Sequence, residues 1–534
     1  MRVQNVLIAG EWRLSQATPE SSATCPSTFS ARSPSDQKPL PELYPTSPWS
    51  EIEEAIQAAA AASRQMRGWP GSRFAAFLER YADLLEPRKA EFVQWAHTET
   101  GLPAEGRLAG AEFPRTINQL RLAAAAARQS SWCQPTIDTK ANIRSMFGPI
   151  GPVAVFGPNN FPFAFNSAAG GDFASAIAAG NPVIAKGHPL HPYTTQLFAR
   201  AALEAARDTD MPPALVQLIY RTSHEDGAKL VSHPLMGATG YTGSRRAGLA
   251  LKQAADLAGK PIYLELSSIN PVFVLPGALA ERADKVAEEF TTSCLMGAGQ
   301  MCTNPGLVVL MAGPETEAFI QTIVGRFKAA PVSTMLGEAV EKSLCDSVES
   351  LRKSGAELLT GGERGGGNGY CYRNTLLRVS GDAFLKRPEE LQTEAFGNSS
   401  LLVVVRDADQ MLEITDHLEG NLTGVVYSAL DGRDDALAER VSAALRPKVG
   451  RLLNDKMPTG VAVTAAMNHG GPYPATGHPG FTAVGIPASL LRFGMLQCYD
   501  NVRESRLPPE LRNKNPGHIW RNIDGQWTTA DVAQ

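Results

Sequence analysis

Between residues 150 and 266 the chain alternates strictly between short apolar runs and helical stretches, and this alternation constrains its fold more than any other feature. Residues 153–157 (Val-Ala-Val-Phe-Gly), 182–186 (Pro-Val-Ile-Ala-Lys), 215–220 (Leu-Val-Gln-Leu-Ile-Tyr), 238–242 (Ala-Thr-Gly-Tyr-Thr) and 261–266 (Pro-Ile-Tyr-Leu-Glu-Leu) read as strands. They are short, rich in β-branched and aromatic residues, and bounded by Gly and Pro. Residues 166–179, 191–207, 226–232 and 243–258 read as the helices between them. Repeated βα units give a parallel sheet with helices on its faces. Ligands in such sheets lie beyond the carboxyl ends of the strands. Asn159, Asn160, Lys186, Gly243, Ser244 and Glu265 each stand where a strand ends.

A second alternating region runs from 271 to about 470, with strands at 273–275, 307–310, 401–405, 424–427 and 450–454 and a helix at about 314–328. Ahead of both regions, residues 6–12 read as a strand and turn, and 15–48 as a Ser/Thr/Pro-rich surface excursion. Helices follow at about 50–66, 71–86, 87–99 and 105–128, the first opened by a capping box with Ser50 as N-cap and Glu53 at the third helical position. The glycine-rich run 361–369 has neither the Gly-Lys-Ser/Thr ending nor the strand–helix setting of a phosphate loop and reads as a solvent loop. The last forty residues, rich in Pro, Asn and Arg, read as an extended tail.

Composition removes whole classes of function. A formal net charge of −4 offers no basic footprint for nucleic acid. No apolar run reaches the roughly 18 residues of a membrane span, and the N-terminus lacks an apolar signal core. Seven cysteines, odd in number and without a Cys-x-x-Cys pair, argue against a disulfide framework and fit a reducing cytoplasm. No metal site is expected, because the nine histidines form no His-x-x-x-His pair.

Within this frame a few residues have the chemistry of a site. Cys302 lies in the Gly/Pro-punctuated stretch Gly299 to Gly306, after an expected helix over 284–296, where a thiol can serve as a nucleophile. Glu265 ends an apolar strand, and burial there would lift a carboxylate toward the range of a general base. Asn160 follows a strand and a Gly-Pro turn, and its amide could donate to an oxyanion. The N–H groups of Gly243 and Ser244 open a helix and would face an anion. Lys186 could meet a ribose or phosphate. Glu394 and Phe396 precede the 401–405 strand and could hold a ribose and a flat ring.

Taken in order, Asn160-Phe161-Pro162, Lys186, Gly243-Ser244 with Gly248, Glu265-Leu266, Gly299-Gln300-Met301-Cys302 and Glu394-Ala395-Phe396-Gly397 resemble the aldehyde dehydrogenase superfamily over roughly residues 1–500. The stretches Lys186 to Pro192, Asn270 to Ala278, Cys302 to Gly306 and His469 to Pro472 resemble the NADP-accepting branch that includes bacterial 2-oxoglutarate semialdehyde (2,5-dioxopentanoate) dehydrogenases. The resemblance implies an α/β fold of two Rossmann-like parallel domains plus a small β oligomerisation element. Residues 1–129 and 149–267 would bind the cofactor, 268–470 would carry the nucleophile, and 130–148 with 471–534 would form the oligomerisation hairpin and tail. It implies Cys302 as nucleophile, Asn160 and the Cys302 N–H as oxyanion donors, and Glu265 as the base that activates water. It places NADP or NAD against Lys186, His188, Pro189, Gly227, Gly243, Ser244, Gly248, Glu394 and Phe396, and it implies a homodimer or homotetramer.

The reaction expected from this resemblance is oxidation of 2,5-dioxopentanoate to 2-oxoglutarate, with a broad aliphatic aldehyde dehydrogenase as the alternative. A CoA-acylating relative usually lacks the base, and Glu265 argues against it. Many NAD-preferring members carry Glu three residues after the lysine. Pro189 stands there instead, which removes repulsion of a 2′-phosphate. The branch's phosphate-holding Arg is replaced near His224, leaving Arg221 or Arg245 as substitutes and dual cofactor use as the expectation. Arg115 is the candidate cation for a substrate carboxylate, and the 468–472 stretch could shape its pocket.

Overall fold

The structure is a computed structural model and describes residues 3–16 and 27–533. Part of the expected 15–48 surface excursion lies outside these residues. Its described remainder holds two short paired strands, Thr28–Phe29 and Tyr44–Pro45.

The 150–266 alternation forms a seven-stranded sheet in the order Ile262–Glu265, Ala238–Thr242, Val153–Phe156, Val183–Lys186, Val216–Ile219, Val6–Ile8, Glu11–Arg13. The first five are parallel, and the N-terminal hairpin adds its two strands antiparallel. Val153, Ile184, Leu218 and Ile262 are fully or almost fully buried, as expected when helices cover both faces of a parallel sheet. The chain runs outward from Val153–Phe156 in one direction, then returns to its other side at Ala238–Thr242. The crevice at that reversal is where an open α/β sheet takes its ligand.

The second region forms another seven-stranded sheet, ordered Glu357–Thr360, Thr375–Ser380, Ser399–Val405, Leu307–Met311, Val272–Val274, Asn421–Tyr427, Val449–Asn454. All are parallel except the first pair. A five-stranded sheet joins Gly494–Asp500, Ile143–Pro149, Thr136–Asp138, Arg521–Ile523 and Gln526–Thr528. Among the described residues, no helix is long and apolar enough to cross a membrane.

Several expectations need correction. The first helix is Trp49–Gln65, with Pro48 in extended conformation at its N-cap and no side-chain cap. Ser50 is already inside the helix, and its hydroxyl reaches Gln16 at 3.4 Å. The expected helix over 166–179 shrinks to Gly171–Ala178, because the Asn166 side chain takes the Ala168 N–H at 2.9 Å and closes turns ahead of it. The 105–128 helix is two pieces, a π-helix Ala104–Glu112 and an α-helix Phe113–Gln129. The helix before Cys302 is longer than expected, Pro276–Leu295, with a break at Arg282. The tail is not merely extended, since Gly494–Asp500 pairs along all seven of its residues with Ile143–Pro149. Helix Glu338–Lys353 and strands Glu357–Thr360 and Thr375–Ser380 carry no motif that had marked them.

Candidate active site

After Leu295 the chain reverses through Gly297, Ala298 and Gly299, all with positive φ. Gly299 must be glycine on two counts. Its φ is +67°, and a Cβ would lie 2.1 Å from the Gly397 carbonyl oxygen, just past the Glu394–Phe396 segment. A turn closed by the Asn304 N–H on the Met301 carbonyl (3.0 Å) then presents Cys302. Asn270, itself at positive φ, donates its Nδ2 to the carbonyls of Cys302 and Asn304, both at 2.9 Å. The half-buried Cys302 thereby stands where two cavities meet: a polar groove along the strand ends and an apolar cavity among helices.

Three side chains surround the thiol. Asn160 is buried and donates one amide hydrogen to the Gln300 carbonyl at 2.9 Å. An amide nitrogen carries two hydrogens, so the other is free for an oxyanion. Glu265 ends its strand, 5 % exposed, with Oε2 lacking a partner. His469 stands between Glu265 and Cys302. Its Nε2 lies 2.9 Å from Glu265 Oε1 and 3.4 Å from Cys302 Sγ. Burial opposes a charge on this imidazole, but the Glu265 carboxylate and the Cys302 sulfur outweigh it and hold its pKa up at about 10. The donor atoms of Glu265, Cys302 and His469 all lie within 4.8 Å of one another, a grouping that no local spacing announces.

The polar groove is lined by Asn160, Gly243, Ser244, Glu265, Cys302, Glu394 and Phe396, which the sequence had scattered over some 240 positions. Burial lifts the Glu394 carboxyl to about 7, against hydrogen bonds from the Ser267 side chain and the Ser268 backbone. The anion site at the start of helix Arg245–Leu257 differs from the expectation. The Gly243 N–H is donated to the Glu265 carbonyl at 3.1 Å, and the Ser244 hydroxyl caps the Ala247 N–H at 3.4 Å. The N–H groups left at that helix end are those of Ser244, Arg245 and Arg246, so the expectation fails for Gly243 and not for Ser244. Arg245 is bound to Glu419 at 3.1 Å and is not the spare cation expected for a phosphate.

Lys186, His188, Pro189 and Gly227 do not line this groove; Lys186 ends the neighbouring strand further along the same edge. Burial, then the charge of Arg221, lowers the Lys186 pKa to about 8. Gly248 lies under the helix, where a Cβ would come within 2.5 Å of Leu266, so it serves close packing of helix on strand. His224 is an exposed first residue of helix His224–Ser232.

The apolar cavity is walled by Phe161, Phe165, Met301, Val461 and Val463, with two arginines among them. Arg115 donates Nε to Gln119 at 3.1 Å and lies over the Phe161 and Phe165 rings at 5.6 and 5.3 Å. Its buried Nη2 has no partner. Arg107 is instead paired with Glu112 at 2.6 Å. His469, Arg107, Glu112, Gln300 and Asn270 had drawn no individual assignment from the sequence. His469 is 167 positions from Cys302, and only the fold brings them together.

A sequence profile described as the Aldehyde dehydrogenase family matches residues 21–471. The chain is 39 % identical to alpha-ketoglutaric semialdehyde dehydrogenase 2 of Azospirillum brasilense, covering 93 % of this chain and 96 % of that one. It is 34 % identical to the alpha-ketoglutaric semialdehyde dehydrogenase of Acinetobacter baylyi, over 94 % and 96 % of the two chains. Among solved structures, 1-pyrroline-5-carboxylate dehydrogenase from Thermus with bound NAD superposes with a TM-score of 0.78 at 24 % identity, covering 93 % of this chain and 92 % of that one.

Proposed function

Since the chain belongs to the aldehyde dehydrogenase family, we propose that it oxidises 2,5-dioxopentanoate to 2-oxoglutarate with NAD or NADP. The observation that carries the substrate is Arg115, a guanidinium that lines the same cavity as Cys302 and, among the described residues, forms no ion pair with a carboxylate. A substrate carboxylate would satisfy it, and a neutral aldehyde would leave it orphaned. The likeness to two alpha-ketoglutaric semialdehyde dehydrogenases supports the same choice.

The groove residues fit a dinucleotide. The free N–H groups at the helix start suit a pyrophosphate, Glu394 suits ribose hydroxyls, and Phe396 suits the nicotinamide end. Lys186, with Arg221 near it and Pro189 in place of a carboxylate, tolerates a 2′-phosphate and favours use of both cofactors. When bound, the cofactor supplies the hydride acceptor.

The remaining work falls to the chain. Cys302 attacks the aldehyde carbon, while Asn160 Nδ2 and the Cys302 N–H hold the oxygen as it becomes anionic. His469 Nε2, which lies against both Cys302 Sγ and Glu265 Oε1, holds a proton between the two. Once the thioester stands on Cys302, Glu265 takes a proton from water as its oxygen bonds the acyl carbon; the C–S bond then breaks, which releases the acid and returns the Cys302 sulfur. The five-stranded sheet exposes Met495, Leu496 and Trp527, with Trp520 just ahead of its strand Arg521–Ile523, each at least half exposed, and is our assignment for the contact between copies of a dimer or tetramer.

A substrate panel with both cofactors tests the reading. Removing one partner of a buried charge pair costs about 3–5 kcal/mol. Arg115→Met should therefore lower kcat/KM for 2,5-dioxopentanoate by more than roughly 100-fold and leave hexanal within a few-fold. Equal rates for both aldehydes in the parent enzyme would favour a broad aliphatic dehydrogenase instead.

A further inference from the structure

The two arginines of the apolar cavity face the same space but are held differently. Arg115 has a free Nη2. Arg107 is committed: Nη1 to Glu112 Oε2 at 2.6 Å, Nη2 to the Asn160 carbonyl at 3.0 Å, and its face over the Phe161 ring at 4.3 Å. Glu112 is 1 % exposed and also accepts, on Oε1, the N–H groups of Phe163 at 2.8 Å and Ala164 at 2.9 Å. Together the pair grips the 160–164 segment at four successive points: a carbonyl, a ring and two amides.

The backbone makes this grip possible. Arg107 and Glu112 are five residues apart. In an α-helix, residues three or four apart are neighbours and residues five apart diverge. The segment Ala104–Glu112 is a π-helix, with i to i+5 periodicity, which brings the two side chains onto one face. The irregular turn therefore has a local product, an ion pair aimed at the segment that carries Asn160.

We propose that Arg107, backed by Glu112, is a positioning residue for the oxyanion hole: it fixes Asn160 through its carbonyl and does not receive the substrate's carboxylate. The inference rests on the assignment of Asn160 as oxyanion donor. It deepens that assignment by separating the duties of two arginines that line one cavity. Arg107 acts on every aldehyde alike, and Arg115 discriminates among them.

The test is a double-mutant cycle between Arg107→Gln and Asn160→Ala, run on 2,5-dioxopentanoate and on hexanal, with thermal midpoints measured alongside. A misplacement of about 1 Å at a reacting centre costs on the order of 100-fold. Arg107→Gln should therefore slow the pre-steady-state burst by roughly that factor on both aldehydes. In the Asn160→Ala background it should cost less than about threefold, because the group it positions is already gone. Full additivity, or a loss confined to the acidic aldehyde, would overturn the proposal. If Asn160→Ala alone costs less than about tenfold, the oxyanion assignment falls first. Should Arg107→Gln fail to fold, Arg107→Lys keeps a charge against Glu112 but not the fork to Asn160, and should retain the parent's midpoint while losing burst rate. Parent-like burst rates in a folded Arg107→Lys would also overturn the proposal.

Discussion

The two cavities that meet at Cys302 are built by different means. The cofactor-side groove is made from strand ends of the first sheet plus two loops of the second, and its functional atoms are largely backbone amides, carboxylates and hydroxyls. The aldehyde-side cavity is made from the π-helix Ala104–Glu112, the helix after it and the 459–469 loop, and its walls are rings and aliphatic side chains. One side is shaped by sheet topology, which any sequence with that alternation reproduces. The other is shaped by individual side chains. On the proposed reading, chemistry common to all substrates draws on the first construction, the Cys302 turn and the Arg107 brace, and substrate choice draws on Arg115 and the walls of the second.

Mutations should separate the sides in a definite order of size. Glu265→Gln should have the largest effect, lowering steady-state turnover by about 10³-fold or more while leaving the first-turnover burst near normal, since general-base catalysis contributes some 10²–10⁴. Rapid-quench measurement checks both phases; a lost burst would show that Glu265 acts before hydrolysis. Asn160→Ala should follow, with roughly 10²–10³-fold lost from kcat on every aldehyde. His469→Phe should cost less, and its signature is in the pH profile. With a pKa lifted to about 10, the imidazole is charged at neutral pH and loses its proton as pH rises through that value. The parent's kcat/KM should therefore fall on an alkaline limb near 10 that the variant lacks. The smallest effect belongs to Lys186, outside the groove and further along the same strand edge. Lys186, lowered to about 8, is charged below that pH and neutral above it. The KM for NADP should rise by a few-fold from pH 7 to 9, more than the KM for NAD, and Lys186→Met should flatten that rise.

The same division explains what the amino-acid sequence disclosed. Asn160, Glu265 and Gly243 could be found because each stands at or just after the end of a short apolar strand, and the parallel sheet carries these strand ends to one edge. Glu394 and Cys302 were found by their place in an ordered set of motifs. His469 entered only as the first residue of a motif stretch, without a role of its own, and Glu112, a glutamate on an apparently regular helix, carried no signal at all. The π-helix is the instructive case. Its composition, Ala-Glu-Gly-Arg-Leu-Ala-Gly-Ala-Glu, reads as ordinary helix, and the wider turn shows only in the fold, where it accompanies the contacts of Arg107 and Glu112 with the 160–164 segment. Gly243 shows the opposite limit: its location was legible, but its N–H is spent inside the protein on Glu265.

The account stands or falls on which atom meets the aldehyde. The direct measurement uses the Glu265→Gln enzyme, mixed with 2,5-dioxopentanoate and NADP or NAD, quenched in acid within one turnover and analysed by peptide mass spectrometry. The prediction is a 2-oxoglutaryl thioester on the peptide carrying Cys302, formed only when cofactor is present. No adduct, or an adduct on the buried Cys294 instead, would contradict it.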